Sequence, residues 1–177
     1  MANWYNEQLT NRNFLSPIGF LFTLEKAKKA AYLCQSASIP SLSLGNVDIP
    51  TRGLVPIPVE GNVQYGTFEM EFIVDEDLEN YMEIHNWIYG LGYPESVEEF
   101  QNLITKEDGS KDYKEQYCDG TLAILNSNFN VSARVKFRDL YPTALSSLEF
   151  TATDQDYTYF TATATFKYLI YTIEVET

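Results

Sequence analysis

The chain has 177 residues, 45% of them hydrophobic and 15% aromatic, with 25 acidic against 12 basic side chains and a formal net charge of −13. That length suits one domain that buries roughly two thirds of its unfolded surface, and the apolar share excludes a disordered chain. The acidity argues against tight nucleic-acid binding, which needs Lys and Arg to displace counterions from phosphate, and no apolar run is long enough to span a bilayer.

Residues 1–18 read as an N-terminal arm, polar with isolated aromatics (Trp4, Tyr5, Phe14), and residues 19–177 as a single β domain. Met1 to Thr10 lacks a basic region followed by an apolar stretch, so the chain reads as one synthesised in the cytoplasm. Gly19 to Leu24 is apolar enough for a buried strand. Lys26, Lys28 and Lys29 mark a solvated turn, and Ala31 to Ala37 resumes as a strand. Pro40, Pro50, Pro56 and Pro58 then deprive the backbone of donors, which suits edge strands and extended loops.

Phe68 to Val74 gives a clear strand signal, with Phe68, Met70, Phe72 and Val74 on one face and Glu69 and Glu71 on the other. The period then changes. Asp75 is suited to cap a helix, Glu76 and Asp77 to favour its first turn, and Leu78, Tyr81, Met82, His85, Ile88 and Tyr89 follow at helical spacing up to Gly90 and Gly92. Residues 93–117 form an inserted polar loop, with a short helix predicted over Ser96 to Ile104 before a flexible stretch. Gly120 to Leu125 and Val131 to Phe137 read as a hairpin, Leu148 to Thr153 as another strand, and Tyr159 to Val175 as the longest strand-like run, free of Gly and Pro. Seven or eight strands with one helix imply a mainly β (α+β) fold, a β-sandwich or open barrel with a packed helix. A final strand of such length is expected to pair partly outside the subunit.

No catalytic constellation emerges. His85 is the one histidine, no G-x-S-x-G elbow exists, and Cys34 and Cys118 stand far apart and outside any C-x-x-C unit, so both read as buried free thiols. The carboxylates from Asp75 to Glu83 fit capping and a solvated helix face, and they lack the calcium-loop pattern. No cofactor or metal is expected. One pattern stays open: Arg134, Lys136 and Arg138 share a strand face, so three of 12 basic residues line up. They suit an ordinary solvated face, or a charge contact with Glu69 and Glu71, within the subunit or across an interface.

Two segments carry a family resemblance. Tyr65 to Trp87, with Phe68-Glu69-Met70-Glu71-Phe72-Ile73-Val74-Asp75-Glu76-Asp77-Leu78 at its centre, resembles the tail completion and sheath-stabiliser proteins (tail tube terminators) of T-even-like contractile phages. Leu140-Tyr141-Pro142-Thr143, Leu148-Glu149-Phe150 and Phe160 to Glu174 resemble those proteins and tail tube subunits alike, and Gln35 to Pro40 is similar to a Q-S-x-x-x-P stretch of the group. The resemblance runs from about Leu33 to the C-terminus and is patchy between Glu95 and Cys118.

The resemblance implies a tail-tube-type β fold without enzymatic activity. It implies a homo-oligomer, a hexameric ring whose strands join between subunits into one inner barrel, with the helix outside and the Asp108 loop facing a neighbouring ring or sheath. Partners would be the tail tube protein and sheath or neck proteins, with double-stranded DNA passing through unbound and no membrane involved. An acidic channel wall would repel that DNA. The rival readings are a tail tube subunit, a baseplate protein that initiates the tube and, more remotely, a monomeric carbohydrate-binding β-sandwich.

Overall fold

A computed structural model describes residues 13–53, 55–106, 109–151 and 159–175. The elements run β1 (Phe20–Leu24), α1 (Lys28–Tyr32), β2 (Cys34–Ala37), β3 (Leu42–Ile49), β4 (Ile57–Tyr65), β5 (Phe68–Ile73), α2 (Glu79–Gly92), α3 (Val97–Ile104), a 3-10 turn (Tyr113–Gln116), β6 (Cys118–Leu125), β7 (Val131–Leu145), β8 (Thr161–Lys167) and β9 (Ile170–Val175). All pairings are antiparallel. Seven strands hydrogen-bond in the order β1-β6-β7-β8-β5-β2, with β9 also on β7, while β3 and β4 form a separate two-stranded ribbon.

The 15-residue β7 organises this topology. Its first part, Ala133 to Arg138, lies between β6 and β9, and its last part, Tyr141 to Leu145, pairs with β8. Between them Asp139 takes a left-handed φ of 53°, and the β6 register slips beside it, so the strand bends from one half of the sheet into the other. The halves are therefore two open four-stranded sheets that share β7: β1-β6-β7-β9, here the first sheet, and β7-β8-β5-β2, the second. The expected open β architecture holds.

Alternation fills the space between them. Phe68, Met70 and Phe72 of β5 are fully buried, as are Ala162, Ala164 and Phe166 of β8 on the facing positions. Phe68 meets Phe22 and Phe137 of the first sheet at centroid distances of 5.0 and 4.8 Å, and Phe166 of its own sheet at 5.9 Å. Helix α2 adds Ile84 and Trp87 to the same cluster, and its Gly90 leaves only 3.3 Å for any added Cβ against Leu103 of α3.

Several sequence expectations are corrected. The lysine turn and the start of the next strand are the short helix α1, and β2 begins only at Cys34. Helix α2 starts at Glu79 and not at Asp75, because Leu78 sits in the left-handed region and halts any earlier turn. Asp75 still contributes from a distance, since its carboxylate accepts the Asn80 N–H at 3.4 Å. The buried face of α2 is Asn80, Ile84 and Trp87, spaced by four and three, so His85 points outward and stacks on Tyr89. Residues 148–151 form no strand, and 152–153 lie outside the described residues. Tyr159 to Val175 is not one strand. It breaks at Tyr168 and Leu169, where the chain follows the bend of β7 from one sheet to the other and Leu169 N–H donates to Arg138 C=O at 3.0 Å. The predicted helix near Ser96 is present as α3, and the polar stretch after it is tied back when Trp87 Nε1–H donates to Gln116 C=O at 2.9 Å.

Asn80 is a fully buried polar side chain. Its Nδ2 donates to Ile73 C=O at 2.7 Å and its Oδ1 accepts from Asp75 N–H at 3.3 Å, splicing the end of β5 to α2. Asn80→Leu would leave both backbone groups without partners. We expect a loss of about 1–3 kcal/mol, which lowers Tm by roughly 2–12 °C in thermal unfolding of the variant. An unchanged Tm would show that the splice is dispensable.

Candidate assembly surfaces

The chemistry of the chain lies on its surface. Among the described residues, no group of three or more His, Cys, Asp or Glu side chains converges on a point. Cys34 and Cys118 are free thiols, and burial pushes them up to about 11 and about 12. Both therefore stay protonated at neutral pH. Beside Cys118, Lys26 extends over the Trp87 ring at 5.7 Å and donates to Glu115 C=O, and burial lowers its pKa.

The first sheet has one face in the core and one in solvent. Opposite residues of an antiparallel pair share a face, so Arg134 stands with Ala123 and Glu174, and Lys136 with Thr121 and Thr172. Lys136 Nζ reaches Glu174 at 2.7 Å, an exposed pair of the kind worth well under about 1 kcal/mol. Glu69 and Glu71 stand on the solvent face of the second sheet, opposite Thr165 and Thr163. The fold thus places the two stripes singled out in the sequence on different sheets, and the ion partner of Lys136 comes from β9.

Among the described residues β1 pairs with β6 alone and β9 with β7 alone, so both edges of the first sheet are open there. Each carries exposed apolar side chains, Leu21 on β1 and Ile173 and Val175 on β9. An edge strand presents unpaired N–H and C=O groups to any strand of matching length.

The ribbon is the feature that sequence reasoning missed. Its cross-strand pairs are Leu42 with Tyr65, Leu44 with Val63, Val47 with Val59 and Ile49 with Ile57, all between 36% and 63% exposed. At its middle the strands approach so closely that a Cβ on Gly61 would sit 3.0 Å from Gly45 C=O. Two strands alone are marginal in water, and this pair is anchored at its base. Tyr65 lies against Tyr168 and Tyr171 at 6.0 and 5.6 Å, while Tyr168 Oη donates to Gly66 C=O at 2.9 Å. The apolar alternation was present in the sequence, hidden by the prolines at its borders.

Comparison with known proteins agrees with this arrangement. A family model described as phage tail tube protein matches residues 6–174. The chain belongs to the phage tail tube protein family. Among solved structures, this chain resembles the anti-feeding prophage cap, described as its tube terminating cap, with a TM-score of 0.64 and 15% identity over 99% of this chain and 100% of that one. The PVC sheath–tube complex of an extracellular contractile injection system matches with a TM-score of 0.61 and 14% identity, covering 93% of this chain and 94% of that one. The PVC sheath/tube terminator gives 0.59 and 14%, covering 93% and 100%. At such identities the likeness establishes a shared fold. A comparison with curated proteins finds no match.

With pKa values near 11 and 12, the thiolate fractions of Cys34 and Cys118 at pH 7.5 are far below that of a free cysteine near 8.5. Alkylation by iodoacetamide at pH 7.5 is expected to run at least about tenfold slower than for a free thiol, and to accelerate on denaturation. Rapid labelling of the folded chain, followed by mass spectrometry, would contradict the burial of both groups.

Proposed function

We propose that this chain closes into a ring by pairing β9 of one copy with β1 of the next, and that the ring sits coaxially at the end of a phage tail tube as its terminator. The observation that carries the ring is the four-stranded first sheet, whose two edge strands have no second partner among the described residues. Joining them removes every exposed edge of that sheet at once, which an isolated copy cannot do. Six copies are the number that the family resemblance implies. The terminator position is supported by the T-even-like signature from Phe68 to Leu78 and by the full-length likeness to a tube terminating cap. Sheath or neck proteins would then be its neighbours, and double-stranded DNA would pass through without specific binding.

A channel lined by the solvent face of the first sheet would carry Arg134, Lys136 and Arg138 together with Glu174, whereas an acidic wall that repels DNA would need the face of Glu69 and Glu71 turned inward.

A second reading, the tube subunit, is favoured by the family match over residues 6–174. Negative-stain microscopy of the purified protein separates the two, since isolated rings support a terminator and long polymers a tube subunit. A strictly monomeric chain at every concentration would overturn the ring and leave an isolated β-sandwich module. A finer check uses the alternation of N–H directions along an edge strand. Of Thr172→Pro and Ile173→Pro, one removes a bond to β7 and the other an outward donor. The outward variant is expected to keep its Tm within about 2 °C of the parent and yet remain monomeric in sedimentation.

A further inference from the structure

The β3–β4 ribbon packs chiefly on itself and meets the rest of the chain at its base. Both of its roots are held there by phenols from one short stretch of chain. Tyr168 Oη donates to Gly66 C=O at 2.9 Å, directly after β4, and Tyr171 Oη donates to Pro40 C=O at 3.4 Å, just before β3. The roots are also tied to each other, since Gly66 N–H donates to Ser41 C=O at 2.9 Å. That crossing is tight, because a Cβ on Gly66 would lie 2.6 Å from Ser41 Oγ. The rings of Tyr168 and Tyr171 rest on Phe137 of β7 at centroid distances of 5.2 and 6.0 Å, and Tyr65 of the ribbon fits against both.

These phenols do not come from a firmly held part of the fold. Tyr168 lies in the break between β8 and β9, and Tyr171 belongs to β9 itself. Among the described residues β9 bonds to β7 alone, and Thr172 to Val175 are exposed. A strand bonded on one side, with few buried side chains, belongs to the low-stability end of a fold. Leverage magnifies any looseness there. A strand of 8 residues such as β3 makes an arm about 27 Å long, so a turn of about 10° at its base carries the tip by about 5 Å.

We propose that Tyr168 and Tyr171 form a latch through which β9 aims the ribbon, so that pairing the outer edge of β9 stiffens the arm. A strand added to β9 orders the segment that carries the phenols. The ribbon then has less freedom left to lose when its tip is held. By reciprocity, holding the ribbon first strengthens the edge pairing by the same factor. The arm of a free copy is therefore the looser one, and closing the ring sets it. The inference rests on the ring reading for what pairs with β9, while the latch rests on the phenol contacts alone.

The test places a nitroxide spin label at the ribbon tip through Arg52→Cys, with the parent chain treated alike as the control for Cys34 and Cys118. Spectra report nanosecond mobility in the ring and in the monomeric variant with proline at the outward position of β9. A second pair of samples adds Tyr168→Phe and Tyr171→Phe, which keep both rings and remove only the hydroxyls. The label is expected to be at least about twofold slower in the ring than in the monomer, with most of that difference lost without the hydroxyls. Of the two monomers, the one without hydroxyls should have the more mobile tip. It should also need roughly fivefold more protein to form rings in the absence of the proline, the lower range of a typical coupling. Undiminished slowing in the ring without hydroxyls would show an arm held by direct contact and would overturn the coupling. Equal tip mobility in the two monomers would overturn the latch. Should the double variant unfold, Tyr168→Phe alone carries the same comparison. Rings whose tips ignore the hydroxyls sink this inference and leave the ring standing, whereas no ring sinks the ring reading and the coupling together.

Discussion

The contact of Phe68 with phenylalanines from both sheets is the constraint on which the rest depends. Phe22 and Phe137 reach it from the first sheet and Phe166 from its own. Each fully buried ring contributes about 1.5–3 kcal/mol, and close aromatic pairs add a little more. To bring those rings together, one strand must serve two sheets. The bend of β7 at Asp139 follows from that need, and so do the break between β8 and β9 and the base of the ribbon, which leans on Tyr168 and Tyr171.

Because this core is compact, it leaves much apolar surface outside it. The edges of the first sheet, the β3–β4 ribbon and both ends of β7 carry side chains that a monomer would be expected to bury. None of them surrounds a reactive group. The chain thus folds around a complete core while these surfaces stay exposed, and it belongs to the phage tail tube protein family.

Legibility in the sequence followed the strength of local signals. The strand read over Phe68 to Val74 ends one residue earlier, and the hairpin read over Gly120 to Leu125 and Val131 to Phe137 lies within β6 and β7, because period-two burial is written residue by residue. The face of α2 was read only in part: Tyr81 and Ile88 do pack against the core, but packing buries Ile84 and Trp87 most deeply and leaves Met82 exposed. Asp75 was read as the cap because its carboxylate does accept a helical N–H, but the left-handed Leu78 delays the helix by a turn. The stretch from Tyr159 to Val175 showed no breaker, since its break is imposed by another strand.

By itself the sequence determined the β class, the aromatic core and, through a short strand–helix signature, the tail tube resemblance. These are properties of neighbours along the chain and of composition. Only the tertiary structure decided which edges stay open among the described residues, and that Lys136 pairs with Glu174 of β9 while Glu69 and Glu71 stand on the other sheet. Those facts depend on register and on a bend in β7, and a shift of one residue in either would turn each side chain to the other face.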